Sequence, residues 1–163
     1  MQRRRLLKLG VGVAVVLGVA GAGVALIKPG LVDGRLSPGS RELMGAVAQA
    51  VLGELLPATG VPAQLDRLDA TIAGLPVPTR KELSDALGLL GTAAGRFALV
   101  GLSRPWREAS AADIRQALDA MRLSTSNTRQ QVYHALRDLN VLAFFLEPAN
   151  WQAAGYPGQR DIP

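Results

Sequence analysis

Few side chains in this sequence are of the types that carry out catalysis. His134 is the only histidine among 163 residues, and the chain has no cysteine. A histidine without a nucleophilic cysteine or a second metal-binding histidine lacks the partners that acid–base or zinc chemistry needs. No serine stands in a G-x-S-x-G setting, which would indicate a hydrolase nucleophile. We therefore interpret His134 as a structural or surface residue.

The remaining candidates for chemistry are carboxylates and glycines. Asp66 and Asp69 fall on one helical face with arginines nearby, so we interpret them as surface charge. No glycine-rich phosphate loop follows a strand, because no strand is predicted. The lack of cysteine excludes disulfides, thiolate metal sites and iron–sulfur clusters. The sequence thus predicts a chain that binds no cofactor or metal and is not an enzyme by itself.

The net charge of +5 would suggest nucleic-acid binding, but its distribution argues against it. Arg3, Arg4, Arg5 and Lys8 supply four of the 18 basic side chains. The rest of the chain then has 14 basic and 13 acidic side chains, a net charge of +1. A mixed, solvated surface is therefore predicted, with no nucleic-acid partner.

The basic start precedes an uncharged apolar run of 19 residues, 9–27. As a helix this run would span roughly 28 Å, close to the hydrocarbon thickness of a bilayer. The segment before it resembles the twin-arginine export motif R-R-x-hydrophobic-L-K at every specified position. Its residues are Arg3, Arg4, Arg5, Leu6, Leu7 and Lys8. Residues 1–27 are therefore predicted to be a twin-arginine-type signal peptide or signal anchor. An ordinary anchor with a basic cytoplasmic flank is the alternative.

The fate of this leader is left open by the sequence. Ala20 and Ala22 form a small-x-small triplet with Gly21, which signal peptidase could cut. The apolar residues 24–27 would leave an exposed start on the cut chain, which favours retention of the leader as an anchor. In both cases the rest of the chain is predicted to lie on the periplasmic side of the bacterial inner membrane.

After the leader, nearly all apolar residues recur at helical spacing. Prolines and glycines make residues 28–39 a linker between leader and domain. Residues 40–148 are predicted to form an all-α bundle of about five helices, since no alternating run of β-branched residues occurs. Residues 149–163 contain too many breakers for a helix and are predicted to be an irregular tail that contacts a partner.

The first two predicted helices are bounded by capping residues and prolines. The first has Ser37 as its N-cap, continues with Pro38 and stops at Pro57. The second enters through Pro62 and closes near Gly74. Their apolar stripes are Leu43, Val47, Val51 and Leu55, and then Leu65, Leu68 and Ile72.

The other three predicted helices carry the rest of the core. The third begins at a capping box in which Thr79 and Glu82 satisfy amides of the first turn, and it continues to Phe97. The fourth begins at Ser110, and the fifth follows the 124–127 turn and ends at Pro148. Their inward positions are Leu83, Leu87, Leu90, Ala94 and Phe97; Ile114, Leu118 and Met121; and Val132, Leu136, Leu139, Ala143 and Leu146.

Aromatic residues are concentrated at the end of the last helix and beyond it. Phe144 and Phe145 are adjacent, so on a helix they point about 100° apart and cannot share a narrow inward stripe. One of them can join the core while the other faces a second surface. Trp151 and Tyr156 follow, either folded back over the end of the bundle or facing a partner.

Several of these segments occur together, and in order, in a known family. They are the leader, Leu55-Leu56-Pro57, Ala135-Leu136-Arg137-Asp138-Leu139, Phe144-Phe145 with Pro148 and Trp151, and Gly155-Tyr156-Pro157-Gly158. Over most of its length the chain thereby resembles the gluconate 2-dehydrogenase subunit 3 family. Members accompany membrane-associated, FAD-dependent dehydrogenases of the glucose-methanol-choline type. The flavoprotein often has no export signal and leaves, already folded, on the leader of the small subunit.

The resemblance implies a set of partners and contact residues. The partners are the FAD-dependent large subunit and the twin-arginine translocase, with electrons passing from the flavin to a separate membrane cytochrome subunit or to quinone. FAD would be held by the large subunit and not by this chain. The implied partner-binding residues are Phe144, Phe145, Trp151, Gly155, Tyr156, Pro157 and Gly158. From the residues alone, a periplasmic scaffold anchored by one helix and without a redox role stays the alternative.

Overall fold

The computed structural model describes residues 27–155. Within this range the fold is all-α with one short hairpin, so the predicted fold class is confirmed for the domain. The candidate export residues Arg3, Arg4, Leu6, Leu7 and Lys8, the cleavage residues Ala20 and Ala22, and the tail residues Tyr156, Pro157 and Gly158 lie outside the described residues.

The described chain contains two short strands and seven helices. The strands are β1 (Leu31–Val32) and β2 (Arg35–Leu36), and the helices are α1 (Pro38–Leu52), α2 (Val61–Ala73), α3 (Val77–Gly91), α4 (Ala93–Gly95), α5 (Ala111–Arg122), α6 (Asn127–Phe145) and α7 (Ala149–Ala153). The five helices of 12 or more residues correspond to the five that the apolar spacing predicts.

Helix α1 is the centre of the domain. It packs against α2, α5 and α6, which also contact one another in part, while α3 packs against α1 and β1. The fully buried core includes Leu43, Val47, Leu68, Ile72, Leu87, Ile114 and Met121 from the predicted stripes, together with Met44, which lies outside them. Each such side chain stabilises the fold by about 1.5–3 kcal/mol through the removal of apolar surface from water.

The predicted N-caps of α1 and α5 are confirmed. The Ser37 hydroxyl accepts a hydrogen bond from the Ser40 amide at 3.3 Å, and Pro38 occupies the first turn of α1. At α5, the Ser110 hydroxyl accepts from the Asp113 amide, and the Asp113 carboxylate accepts from the Ser110 amide. These reciprocal bonds satisfy amides that have no acceptor within the helix.

The predicted capping box of the third helix is wrong. Helix α3 begins two residues before Thr79, at Val77, and its N-terminus has no side-chain cap. Proline explains the earlier start, since Pro78 has a helical φ and no amide that needs an acceptor. Thr79 therefore lies inside the first turn, and one carboxylate oxygen of Glu82 is buried without a hydrogen-bond partner.

The third helix is also shorter than predicted. It ends at Gly91, and the chain bends by 89° into α4 and a π-helical turn, Arg96–Val100. Phe97 lies on this turn and is 64% exposed, so it does not belong to the core stripe. No single helix within the described range is long and apolar enough to span a bilayer. Helix α3 and Ala93–Val100, taken together, have the length and composition of a span, but they are bent at the corner between them.

Residues 28–39 are not a free linker, and the prediction of no strands is wrong here. Strands β1 and β2 pair antiparallel, with Leu31 opposite Leu36. The two-residue turn between them has positive φ at Asp33 and Gly34, as a type I′ hairpin requires. We call residues 27–37 the strap, because backbone hydrogen bonds tie them to α3.

The boundaries at the far end also differ from prediction. Helix α6 ends at Phe145, before Pro148, and Leu146 is 60% exposed instead of facing the core. Beyond Pro148 the chain forms α7, so the first part of the predicted irregular tail is helical. The first helix likewise stops at Leu52, and a 3₁₀ turn over Gly53–Leu55 precedes Pro57.

Candidate functional site

The two phenylalanines at the end of α6 have different environments. Phe144 is only 2% exposed and packs with Ala48, Leu52 and Leu56 in a small second core. Phe145 is half-buried at its edge, with its ring 5.2 Å from that of Phe144 in an edge-to-face arrangement. Phe144 therefore offers no surface to a partner, whereas part of Phe145 does.

Side chains of α7 cap the end of α6. The last carbonyl oxygens of a helix have no N–H donor within the helix, so they need donors from elsewhere. The Asn150 side-chain amide donates to the Phe144 backbone carbonyl at 2.8 Å, and the Trp151 indole N–H donates to the Phe145 backbone carbonyl at 2.8 Å. Trp151 is thus folded back onto the bundle end while remaining half-exposed.

Two exposed and two half-buried apolar side chains at this end form what we call the terminal patch: Leu142 and Leu146, and Phe145 and Trp151. Leu142 lies three residues before Phe145 and four before Leu146, so the three share one face of the last turns of α6. Leu142 is 38% exposed and Leu146 60%. The patch contains no titratable group, so the chemistry that it can offer is apolar contact.

The patch rests on a polar connection between α2 and α6. The Gln64 side chain, which is fully buried, donates to the Asn140 carbonyl at 3.0 Å. Within α6, the Asn140 side-chain amide donates to the Leu136 backbone carbonyl at 3.0 Å, while its Oδ1 is buried without a hydrogen-bond partner. Of these two bonds, the one from Gln64 links α2 to α6 beneath the patch.

Beyond this patch, the domain surface has an open groove of about 270 Å³ between α1 and the start of α5. Two of the polar side chains that line it are engaged by the fold. Arg41 pairs with Asp69 at 2.7 Å and Asp66 at 3.0 Å, and the Trp106 indole donates to the Leu90 carbonyl. These two side chains therefore serve the fold.

The carboxylates that the sequence assigns to the surface have separate roles. Asp66 is exposed, as predicted, but Asp69 is only 7% exposed. Asp69 accepts hydrogen bonds from the Leu36 amide at 2.8 Å and from Arg41, so it joins the strap to α1 and α2. The surface assignment of Asp69 is therefore wrong, because it is a buried structural acceptor.

The titratable groups of residues 27–155 show little sign of a reactive centre. His134 is exposed and contacts the Tyr133 ring edge-on at 5.1 Å. No cluster of three His, Cys, Asp or Glu side chains in this range could hold a metal ion. Hydrogen bonds from the Ser110 side chain and then its backbone lower the pKa of the Asp113 carboxyl, with a smaller effect from Arg104. That shift belongs to the helix cap.

Of the predicted contact residues, the structure brings Phe145 and Trp151 together and places Phe144 in the core. Gly155 is exposed with a φ of 74°, which favours glycine. Leu142 lies outside the predicted inward stripe of the last helix, and its four-residue spacing from Leu146 is the signal that could have identified it. Leu146 is predicted to face the core and is exposed instead. Comparisons with protein-family models, curated proteins and solved structures found no match for this chain.

Proposed function

We propose that this chain is a non-catalytic small subunit that binds a folded FAD-dependent dehydrogenase of the glucose-methanol-choline type and carries it through twin-arginine export. The observation that carries the proposal is the leader, in which Arg3, Arg4, Leu6, Leu7 and Lys8 match the export motif. Twin-arginine export moves folded proteins. A folded, cofactor-loaded partner gives a small domain a reason to use that route.

Two further observations support this function. The segments from Leu55 to Gly158 resemble the gluconate 2-dehydrogenase subunit 3 family in type and order. The terminal patch supplies exposed apolar and aromatic surface, which is typical of the centre of protein interfaces. The proposed complex has FAD in the large subunit and passes electrons to a membrane cytochrome on the periplasmic side.

The leader gives the direct test of this proposal. Arg3→Lys with Arg4→Lys keeps both positive charges but removes the planar guanidinium groups, which lysine cannot replace. We expect this chain and the flavoprotein to stay in the cytoplasm together. The measurement is the dehydrogenase activity and flavin absorbance of periplasmic and membrane fractions. Normal periplasmic activity in the double variant would contradict the proposal.

A leader exchange is the matched control. A general secretory leader, which threads unfolded chains, is placed before Val24 so that the strap stays intact. We expect this chain to reach the periplasm alone while the FAD-loaded dehydrogenase remains behind. If the dehydrogenase is still exported, it has its own route, and the scaffold alternative is favoured.

A further inference from the structure

The bend after α3 is held by specific interactions. The Thr92 hydroxyl accepts a hydrogen bond from the Gly95 amide at 3.0 Å and donates to the Leu89 carbonyl at 2.7 Å. A Cβ at Gly95 would overlap the Leu89 carbonyl oxygen, so only glycine allows so close an approach. The sequence therefore fixes the corner that follows Gly91.

The corner leads into the π-helical turn Arg96–Val100, which is also held in place. The Gly101 amide, at a φ of 82°, donates to the Phe97 carbonyl at 2.9 Å and to the Arg96 carbonyl at 3.2 Å. From α6, the Arg129 side chain donates to the Leu99 carbonyl at 3.0 Å. Turns of this kind are rare and occur frequently at functional sites.

Arg96, the first residue of this turn, is buried, and residues 27–155 supply no counter-ion to it. It is 7% exposed, its Nε is buried without an acceptor, and no acidic group of the described domain forms an ion pair with it. By contrast, Arg41 pairs with two aspartates. A buried, unpaired guanidinium destabilises a fold unless something supplies the missing charge.

Phe97, the next residue, is an exposed apolar group beside this cation. It is 64% exposed although it stands on a turn that is fixed on both sides. A pre-positioned aromatic side chain next to an arginine has the composition of an interface hot spot, in which both residue types are enriched. The turn therefore places Arg96, which has no acidic partner in the described domain, next to the exposed ring of Phe97.

We infer that the π-helical turn is a docking point for the folded partner, which supplies a carboxylate to Arg96 and an apolar depression to Phe97. Charge complementarity selects an acidic side chain, because arginine binds carboxylates through two parallel hydrogen bonds. The identity of the partner as the flavoprotein rests on the proposed function. This docking point is separate in sequence from the terminal patch.

Two substitutions test the inference against a matched control. Phe97→Ala removes an exposed ring, and Leu123→Ala removes another exposed apolar side chain, which is 72% exposed, on the chain after α5. The probe is the FAD-loaded dehydrogenase that the proposed function assigns as the partner, titrated against the full chain in detergent. We expect Phe97→Ala to raise Kd about tenfold or more, with Leu123→Ala close to the wild type.

Arg96→Met keeps an unbranched apolar stem but removes the guanidinium group and its charge. We expect the variant to be at least as stable as the wild type, since an unpaired buried charge is lost. Its Kd should rise about tenfold or more and depend less on salt than that of the wild type. If Arg96→Met fails to fold, Phe97→Ala alone decides the question, because its side chain lies outside the core.

The outcomes distinguish this inference from the proposed function. Wild-type affinity in Phe97→Ala, or in folded Arg96→Met, would overturn the docking point while leaving the export function in place. A wild-type chain that does not bind the flavoprotein at all would overturn both. Weaker binding by both variants, with Leu123→Ala unaffected, supports the inference.

Discussion

Gly88→Ala is expected to destabilise the domain by releasing the strap from α3. A Cβ at residue 88 would lie 2.5 Å from the Lys28 carbonyl oxygen and 3.1 Å from a methyl carbon of Ile27. The Lys28 oxygen belongs to the backbone and cannot rotate away as the end of a flexible side chain can, so the strap must move. Overpacking of this kind costs about 1–3 kcal/mol. The free energy of unfolding in urea measures the loss.

Gly91→Ala is the matched control, three residues further along the same helix. A Cβ there meets nothing within 4 Å, and alanine is the better helix former by up to about 1 kcal/mol. The same substitution should therefore be neutral or stabilising at residue 91. Trypsin cleavage after Arg35, within the strap, gives a second measure, since release of the strap should speed cleavage there only in Gly88→Ala. Equal stability and equal cleavage in both variants would show that the strap is not held at Gly88.

The hydrogen bonds of the strap explain why its release should lower the stability of the whole domain. The amides of Gly30 and Leu31 donate to the carbonyl and hydroxyl oxygens of Ser84 at 2.9 and 3.0 Å. At its other end, the Leu36 amide donates to the buried carboxylate of Asp69. The strap thus connects α3 with α2. It also fixes Ile27, the last residue of the apolar run, directly on α3.

Local chemistry made much of the bundle predictable. The N-caps Ser37 and Ser110 and the stripes through Leu43, Leu68 and Ile114 all act within one or two helical turns. Such signals depend on spacing alone, and spacing is visible in a sequence. The number of long helices and most of the core followed from them.

The hairpin was missed although its signal is present in the sequence. Asp33-Gly34 between Val32 and Arg35 is typical of a type I′ turn. The surrounding prolines and glycines are equally typical of an irregular linker, so composition alone does not distinguish the two structures. Gly88 allows a close approach, and the neighbour that approaches it is the strap and not another helix.

The candidate contact surfaces depend on tertiary packing, which spacing does not specify. Adjacent Phe144 and Phe145 indicate that one ring is inside, but only the position of α1 decides which. Phe97 continued the apolar stripe of α3 in sequence, whereas the corner at Thr92 and Gly95 turns it outward. The burial of Arg96 without an acidic partner among residues 27–155 depends on tertiary packing in the same way.

Phe144→Ala is expected to have the largest effect on stability of any change at the bundle end. The side chain is 2% exposed and fills the second core between α6 and the end of α1. Truncation of a buried phenylalanine costs about 3–5 kcal/mol through lost burial and the cavity left behind. This corresponds to a Tm lower by roughly 10–20 °C, which calorimetry would measure.

Leu146→Ala separates this structural role from partner contact. Leu146 lies two residues further on but is 60% exposed, so its loss should change stability by less than about 0.5 kcal/mol. If the terminal patch contacts the flavoprotein, Leu146→Ala should weaken binding while the Tm stays constant. Phe144→Ala should weaken binding only in proportion to its unfolded fraction. A stable Phe144→Ala domain that no longer binds would instead place Phe144 in the interface, because a core side chain cannot be removed without loss of stability.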